Sequence, residues 1–217
     1  MIKNVKVLIW LVVFCFPAGC HQRTNVDITP HQVVPEADTL YQKALLLSAN
    51  YDVDSTEKSI HLLDRALAVD SMNPDYYGVK AKLLSELGYL DSALAIQHQA
   101  DIIGAITGEY LFQLGLFQAA KKRDVEAQVS FSRSNEFQKA VLTRYPDSLG
   151  AFVIQQAANA CLHGQDSLFM SDMEAIRERF PDRLMEIEMT RRLKPLYLIQ
   201  QIKLMEMPSP DKTDSIP

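Results

Sequence analysis

Residues 74–103, PDYYGVKAKLLSELGYLDSALAIQHQADII, decide the fold of this chain. Apolar and small side chains recur every three or four positions on both sides of Gly88, which predicts two amphipathic helices joined by a tight turn. One pair of helices cannot bury both apolar faces, so neighbouring pairs must stack against it. The faces carry Tyr77, Ala81 and Leu84 in the first helix and Leu90, Ala93, Leu94 and Ala100 in the second.

Further helix pairs are indicated on both sides of this stretch. A fourth pair is bracketed by two related motifs, Arg-Tyr-Pro-Asp at 144–147 and Arg-Phe-Pro-Asp at 179–182, which recur 35 residues apart. In each motif an aromatic residue before proline ends one helix, and the aspartate caps the next. The same spacing of apolar and small residues continues at Leu46, Leu63 and Ala66 upstream, and at Leu111, Leu114, Gly115, Ala127 and Phe131 downstream.

The residues Pro74, Ala81, Gly88, Ala93 and Ala100 resemble one tetratricopeptide repeat, and the similarity extends over roughly 40–181. Departures from the family pattern are Ser59 and Phe169 at positions where small residues are common, and a long second helix of the third repeat that continues to Tyr145. The resemblance implies an all-α fold: a right-handed α-α superhelix of about four such helix pairs, plus C-terminal capping helices.

The first nineteen residues predict an export signal. Lys3 and Lys6 precede an apolar run at 7–16, which is too short to span a bilayer, and small residues stand directly before Cys20. This segment resembles the processing site of bacterial lipoproteins, which implies cleavage before Cys20 and lipidation of that cysteine. The alternative is an ordinary secretory signal with an incidental Cys20. Lipidation would place the protein in the bacterial cell envelope, and we expect it at the outer membrane, facing the periplasm.

A domain organisation follows from these signals. The chain of 217 residues, with 47% apolar content, is sufficient for one core. Pro195 should interrupt an amphipathic C-terminal segment that we expect to cap the array. The predicted parts are a signal peptide (1–19), a flexible tether (20–38), a repeat domain (39–206) with repeats near 40–73, 74–107, 108–146 and 147–181 and capping helices over 182–206, and a disordered tail (207–217).

Charge and cysteine content narrow the possible partners. The formal net charge is −5, and loss of the signal removes Lys3 and Lys6 and brings it to −7. An acidic protein does not favour nucleic acid or anionic headgroups, so we expect no nucleic-acid partner. Cys15 leaves with the signal and Cys161 has no partner thiol, so no disulfide framework is expected.

No set of residues typical of catalysis or metal binding is found in the sequence. The five histidines are far apart, and Cys161 lies two residues from His163 on one predicted helix, where side chains diverge. Residues 52–57 resemble the start of a calcium loop but lack its central glycine, and Leu63 stands where a glutamate ligand is needed. We expect Asp54 to cap a helix there instead. No metal and no cofactor is predicted.

The family resemblance also implies a binding surface, because the first helix of each repeat lines the concave side of the superhelix. Cations for a carboxylate clamp are absent, since the corresponding places hold Ala44, Ser48, Val79, Glu109 and Gln113. The remaining apolar strip suits an apolar peptide or an amphipathic helix. The predicted groove residues are Tyr41, Leu45, Val79, Lys82, Glu86, Phe112, Gln113, Leu116 and Ile154.

Several functions are compatible with this pattern. The leading hypothesis is a non-catalytic scaffold that is anchored by lipid in the envelope and holds a protein or peptide partner in its groove. One alternative is a receptor for a small ligand, or an enzyme, with a pocket enclosed by the helical array. Another is an inhibitor that neutralises a toxin. The strip could instead pack beneath the chain's own C-terminal helices, which would leave the groove occupied.

Overall fold

A computed structural model of the protein describes residues 31–206. The predicted signal peptide, Cys20 and the predicted tail lie outside the described residues. Ten α-helices and no strand are found between residues 31 and 206, and the prediction of an all-α fold is confirmed. The helices are α1 (Pro35–Ser48), α2 (Val53–Val69), α3 (Pro74–Glu86), α4 (Leu90–Ile103), α5 (Gly108–Ala120), α6 (Asp124–Arg144), α7 (Leu149–His163), α8 (Asp166–Arg179), α9 (Leu184–Arg191) and α10 (Pro195–Met205).

The helices pack in consecutive pairs. Helices α1 and α2, α3 and α4, α5 and α6, and α7 and α8 each form a closely packed pair, and each pair contacts the next one along the chain. The first helices of successive pairs also meet, since α5 contacts both α3 and α7. The helices α3, α5 and α7 therefore form a continuous row, which we call the first-helix face.

Two glycines make the reversals within pairs possible. Gly88, between α3 and α4, has φ 88°, and Gly164, between α7 and α8, has φ 65°. Only glycine adopts such left-handed conformations without a steric penalty from Cβ. The turns between pairs end in a residue whose side chain caps the following helix: Asn73 accepts the N–H of Asp75, and Ser148 accepts that of Ala151. The turn from α4 to α5 also contains a left-handed glycine, Gly104, with φ 77°.

Several helix starts differ from the sequence-based expectations. Asp147 and Asp182 were expected to cap the helices after them, but Ser148 caps α7, and no side-chain cap is found at the start of α9. Helix α1 begins at Pro35, so the last four residues of the predicted tether, 35–38, are helical. Proline suits the first turn of a helix, and Ala37 is already buried in the core. The prediction that Asp54 caps α2 is wrong, because the cap is Asp52, whose carboxylate accepts the N–H of Ser55 at 2.7 Å.

The core consists of one large apolar cluster and two smaller ones. The large cluster extends from Tyr77 to Ile202 and joins the second, third and fourth pairs to α10. A second cluster joins α1, α2 and α3, and Ser59 lies in that region. The Ser59 hydroxyl donates to the carbonyl oxygen of Ala44 at 2.9 Å. A polar side chain at this small-residue position is therefore tolerated because its hydroxyl is hydrogen-bonded.

Candidate functional site

The C-terminal helix α10 lies against the first-helix face. It contacts α5 most extensively, then α7, and also α3 and α8. The preceding helix α9 packs on α8 instead. Three non-helical residues separate α9 from α10, which begins at Pro195. This break allows the two helices to pack on different neighbours. A helix of the same chain therefore covers part of the face that the sequence assigned to a partner.

The apolar side of α10 follows a helical period. Pro195, Leu198 and Ile202 are buried, and Leu196, Ile199 and Met205 are partly buried against the same cluster. Burying a leucine or isoleucine side chain contributes about 1.5–3 kcal/mol. On the outer side, Tyr197 and Leu204 are exposed, Leu204 at 78%. Helix α10 is thus amphipathic, with one side in the core and the other in solvent.

Polar contacts hold both ends of α10. At its start, the carboxylate of Asp166 in α8 accepts the N–H of Leu196 at 3.0 Å. At its end, Glu206 forms an ion pair with Lys121, the residue that follows α5. Lys121 also contacts Asp91 of α4 at 3.0 Å. The hydrogen bonds that the Lys121 ammonium donates to Glu206 and Asp91 raise the pKa of this group.

Three of the predicted groove residues lie in the cluster beneath α10. Phe112, Leu116 and Ile154 are 2%, 1% and 3% exposed and belong to the same cluster as Leu198 and Ile202. Their partner-binding role stays a prediction. In this conformation they are inaccessible, and the Phe112 ring packs on that of Phe131 in α6, with centroids 5.8 Å apart.

Gln113 is buried in a hydrogen-bonded network, and its role in partner binding stays a prediction. Its amide oxygen accepts from Nε2 of Gln97 at 2.8 Å, and its own Nε2 donates to the carbonyl oxygen of Gly78 at 3.3 Å. The Tyr110 hydroxyl donates to the carbonyl oxygen of Gln97 in the same network. These bonds join α3, α4 and α5, so Gln113 has a structural role here.

The predicted groove residues of the first pair lie on α1, beside the α3 end of the row. Tyr41 and Leu45 are half-buried, and Val79 is buried with them in the second cluster. The Tyr41 ring packs on that of Tyr76, with centroids 5.1 Å apart. Burial raises the pKa of the Tyr41 hydroxyl, so it is neutral at physiological pH.

Lys82 and Glu86 are the charged members of the predicted set. Both are half-buried, and they form an ion pair one helical turn apart on α3, with Nζ and Oε1 separated by 3.6 Å. Such pairs on one helix contribute about 0.3–0.5 kcal/mol. Together with Tyr41 and Leu45 they are the part of the predicted groove that is still in contact with solvent.

Cys161 and His163, which the sequence analysis considered together, lie in different environments. Cys161 is buried, and burial raises the pKa of its thiol, whereas His163 is exposed. Among residues 31–206, no three histidine, cysteine, aspartate or glutamate residues come close enough to hold a metal ion. No helix within these residues is both long and apolar enough to cross a membrane.

Two features of this region became clear only from the structure. The C-terminal segment was expected to cap the last pair, with packing over the groove as the alternative, and α10 lies against the first-helix face; the recurrence of apolar residues at 195, 198 and 202 was the available signal. The other feature is a contact near the N-terminus, where Nε2 of His31 lies 2.8 Å from both carboxylate oxygens of buried Asp70.

Comparisons of the chain with models of protein families, with characterised proteins and with solved structures found no match.

Proposed function

We propose that this protein is a non-catalytic adaptor of the bacterial cell envelope, anchored by lipid on Cys20. Its helix pairs would be repeats of the tetratricopeptide type, arranged in a right-handed superhelix whose first-helix face binds a protein partner. One observation carries the proposal: this face already binds an amphipathic helix, α10, through apolar contacts and a polar contact at each end. A surface that accommodates one amphipathic helix has the shape and chemistry to accommodate another.

The position of the N-terminus supports the membrane part of the proposal. His31 is held against Asp70, beside the turn between α2 and α3. Ten residues separate it from Cys20. Such a length reaches at most roughly 40 Å when fully extended, so an acylated Cys20 would keep the helical domain next to the bilayer.

Site-specific photo-crosslinking in intact cells tests the adaptor function. A crosslinking amino acid replaces Tyr41, which is half-buried on α1 beside the α3 end of the face, or Val125, which is exposed on α6 and serves as the matched control. We expect one stoichiometric protein adduct from position 41 and none from position 125. A bound metabolite without a protein adduct would instead favour a receptor.

Fractionation tests the anchor separately. The Cys20→Ala variant should move from the membrane fraction to the soluble fraction, because lipid chains are the only anchor that the proposal includes. Persistent membrane association of this variant would refute lipidation of Cys20 as the anchor. It would leave the result of the crosslinking experiment unaffected.

A further inference from the structure

The outer side of α10 is exposed to solvent. Tyr197, Gln200, Lys203 and Leu204 are all exposed, while the helix pairs beneath it contact each other directly. Departure of α10 therefore leaves the interfaces of α3 with α4, α5 with α6 and α7 with α8 in place. Local opening of such a terminal element requires less free energy than global unfolding.

The surface beneath α10 does not suit water. Leu198 and Ile202 of α10 are buried against it, in one apolar cluster that also contains residues of α5 and α7. Contiguous apolar patches of this kind are rarely left exposed in soluble domains. A chain in which α10 has left would therefore bind another apolar helix face in its place.

The polar contacts at the ends of α10 recognise features that many helices share. Asp166 accepts a backbone N–H from the first turn of α10, where every helix has unpaired amides and a partial positive charge. Lys121 faces the opposite end, where a helix has a partial negative charge, and there it binds the carboxylate of Glu206. The two contacts define the direction of a helix bound between them and its length, which is eleven residues or about 16 Å.

We infer that α10 is an exchangeable occupant of the first-helix face, and that the partner is an amphipathic helix of about eleven residues. This helix has apolar residues at the spacing of Pro195, Leu198 and Ile202 and an acidic residue directly after its last turn, to bind Lys121. The inference rests on the proposed adaptor function and specifies its partner: partner and α10 compete for one surface. The free protein is thereby kept from exposing the apolar face.

Binding of a synthetic helix in trans tests this exchange. The probe is a fluorescent peptide with the sequence of residues 193–206, and the receptor is the full chain. We expect weak binding to the unsubstituted protein and at least roughly tenfold tighter binding to Leu198→Asp, because its own α10 no longer competes. Circular dichroism and hydrogen exchange verify that Leu198→Asp keeps its helix pairs and has released α10.

Charge reversal supplies a second pair of variants that leaves the core intact. Glu206→Lys should loosen the chain's own α10 by placing a second cation against Lys121, and it should bind the unsubstituted peptide more tightly than the parent protein does. A peptide carrying lysine at the position of Glu206 should bind Glu206→Lys several-fold more weakly than the unsubstituted peptide does. The same lysine peptide should recover affinity for Lys121→Glu. Reversing Lys203, which is exposed on α10, is the matched control and should change neither affinity.

Two results would overturn the inference. The first concerns the unsubstituted protein, in which the α10 amides would exchange only at the rate of global unfolding. Helix α10 would then be a permanent cap. The second is failure of the peptide to bind both Leu198→Asp and Glu206→Lys although both are folded. Failure of the adaptor function would give a different pattern from these two results. The peptide would still bind Leu198→Asp and Glu206→Lys, but no protein adduct would form at Tyr41 in cells.

Discussion

The guanidinium group of Arg179 lies over the ring of Phe152, 4.4 Å from its centroid. Arg179 ends α8 and Phe152 is in the first turn of α7, so this contact closes the fourth helix pair at its open end. The same guanidinium donates to the carbonyl oxygen of Pro146 at 2.9 Å. The two related tetrapeptide motifs at 144–147 and 179–182 are thus joined, because the arginine of the second bonds to the proline of the first.

Removing this arginine should weaken the fourth pair. We expect Arg179→Ala to lower the free energy of unfolding by about 1 kcal/mol, since a cation–π contact and a charged hydrogen bond are lost together at a partly exposed site. Arg144→Ala is the matched control and should cost less than about 0.5 kcal/mol, because Arg144 stacks at 5.7 Å on the ring of its own neighbour, Tyr145. Urea unfolding measures both. Equal losses for the two variants would contradict this role of Arg179.

Close approach of α5 and α6 depends on Gly115. A Cβ atom at this position would lie 2.5 Å from Cε1 of Phe131, which is buried. Gly115→Ala should therefore destabilise the protein by about 1–3 kcal/mol through overpacking, despite the better helix propensity of alanine. In a Phe131→Leu background, Gly115→Ala should lower the free energy of unfolding by less than it does in the unsubstituted protein. A double-mutant cycle on thermal unfolding measures the difference. Full additivity of the two changes would exclude the proposed clash.

Asp70 organises the turn between α2 and α3. Its carboxylate is bound by His31 and also accepts the backbone N–H of Met72 at 3.3 Å. Asp70→Ala should cost about 2 kcal/mol, because buried donors lose their acceptor. The control Asp64→Ala removes a half-exposed carboxylate that pairs with Lys80 and should cost less than about 1 kcal/mol. Chemical denaturation of both variants at neutral pH tests the difference, and a larger loss for Asp64→Ala would refute it.

Stability should fall at alkaline pH. Burial raises the pKa of the Tyr110 hydroxyl, and it also raises the pKa of Tyr76 to about 12. Groups whose pKa is higher in the folded state release protons first from the unfolded state, so the stabilisation is complete below about pH 10 and is lost as pH rises above it. Each such group contributes a slope of up to about 1.4 kcal/mol per pH unit.

Urea unfolding at about pH 7, 9.5 and 11 measures this slope. Tyr110→Phe should reduce the slope between the two higher pH values, although it also loses the hydrogen bond to Gln97 and is less stable throughout. Tyr89→Phe removes the hydroxyl of an exposed tyrosine and is the matched control, with no change of slope expected. A slope unaffected by Tyr110→Phe would show that this hydroxyl is not the titrating group.

Local features of the fold were predictable because their causes are local. The helical period around Gly88 needs only a few residues to be recognised, and the left-handed turn at Gly88 and the proline that begins α3 follow from single-residue geometry. The end of α6 at Arg144, before Tyr145-Pro146, is explained in the same way. The start of α1 was placed too late, because Pro35 was counted as part of the tether.

The candidate site was less predictable, because exposure depends on contacts between distant segments. A helical period shows that Phe112 and Leu116 lie on one side of α5, but it does not show what covers that side. Gln113 illustrates the same difficulty. A glutamine on a helix face is usually solvated, whereas Gln113 is buried and hydrogen-bonded to partners in α3 and α4.

The amino-acid sequence by itself determined the all-helical fold and its consecutive pairs, because helix formation and tight turns depend on neighbours within about four positions. Only the tertiary structure decided that α10 crosses back over α7, α5 and α3. That placement arises from apolar burial, which has no direction of its own, and from the ion pair between Lys121 and Glu206, which lie 85 positions apart.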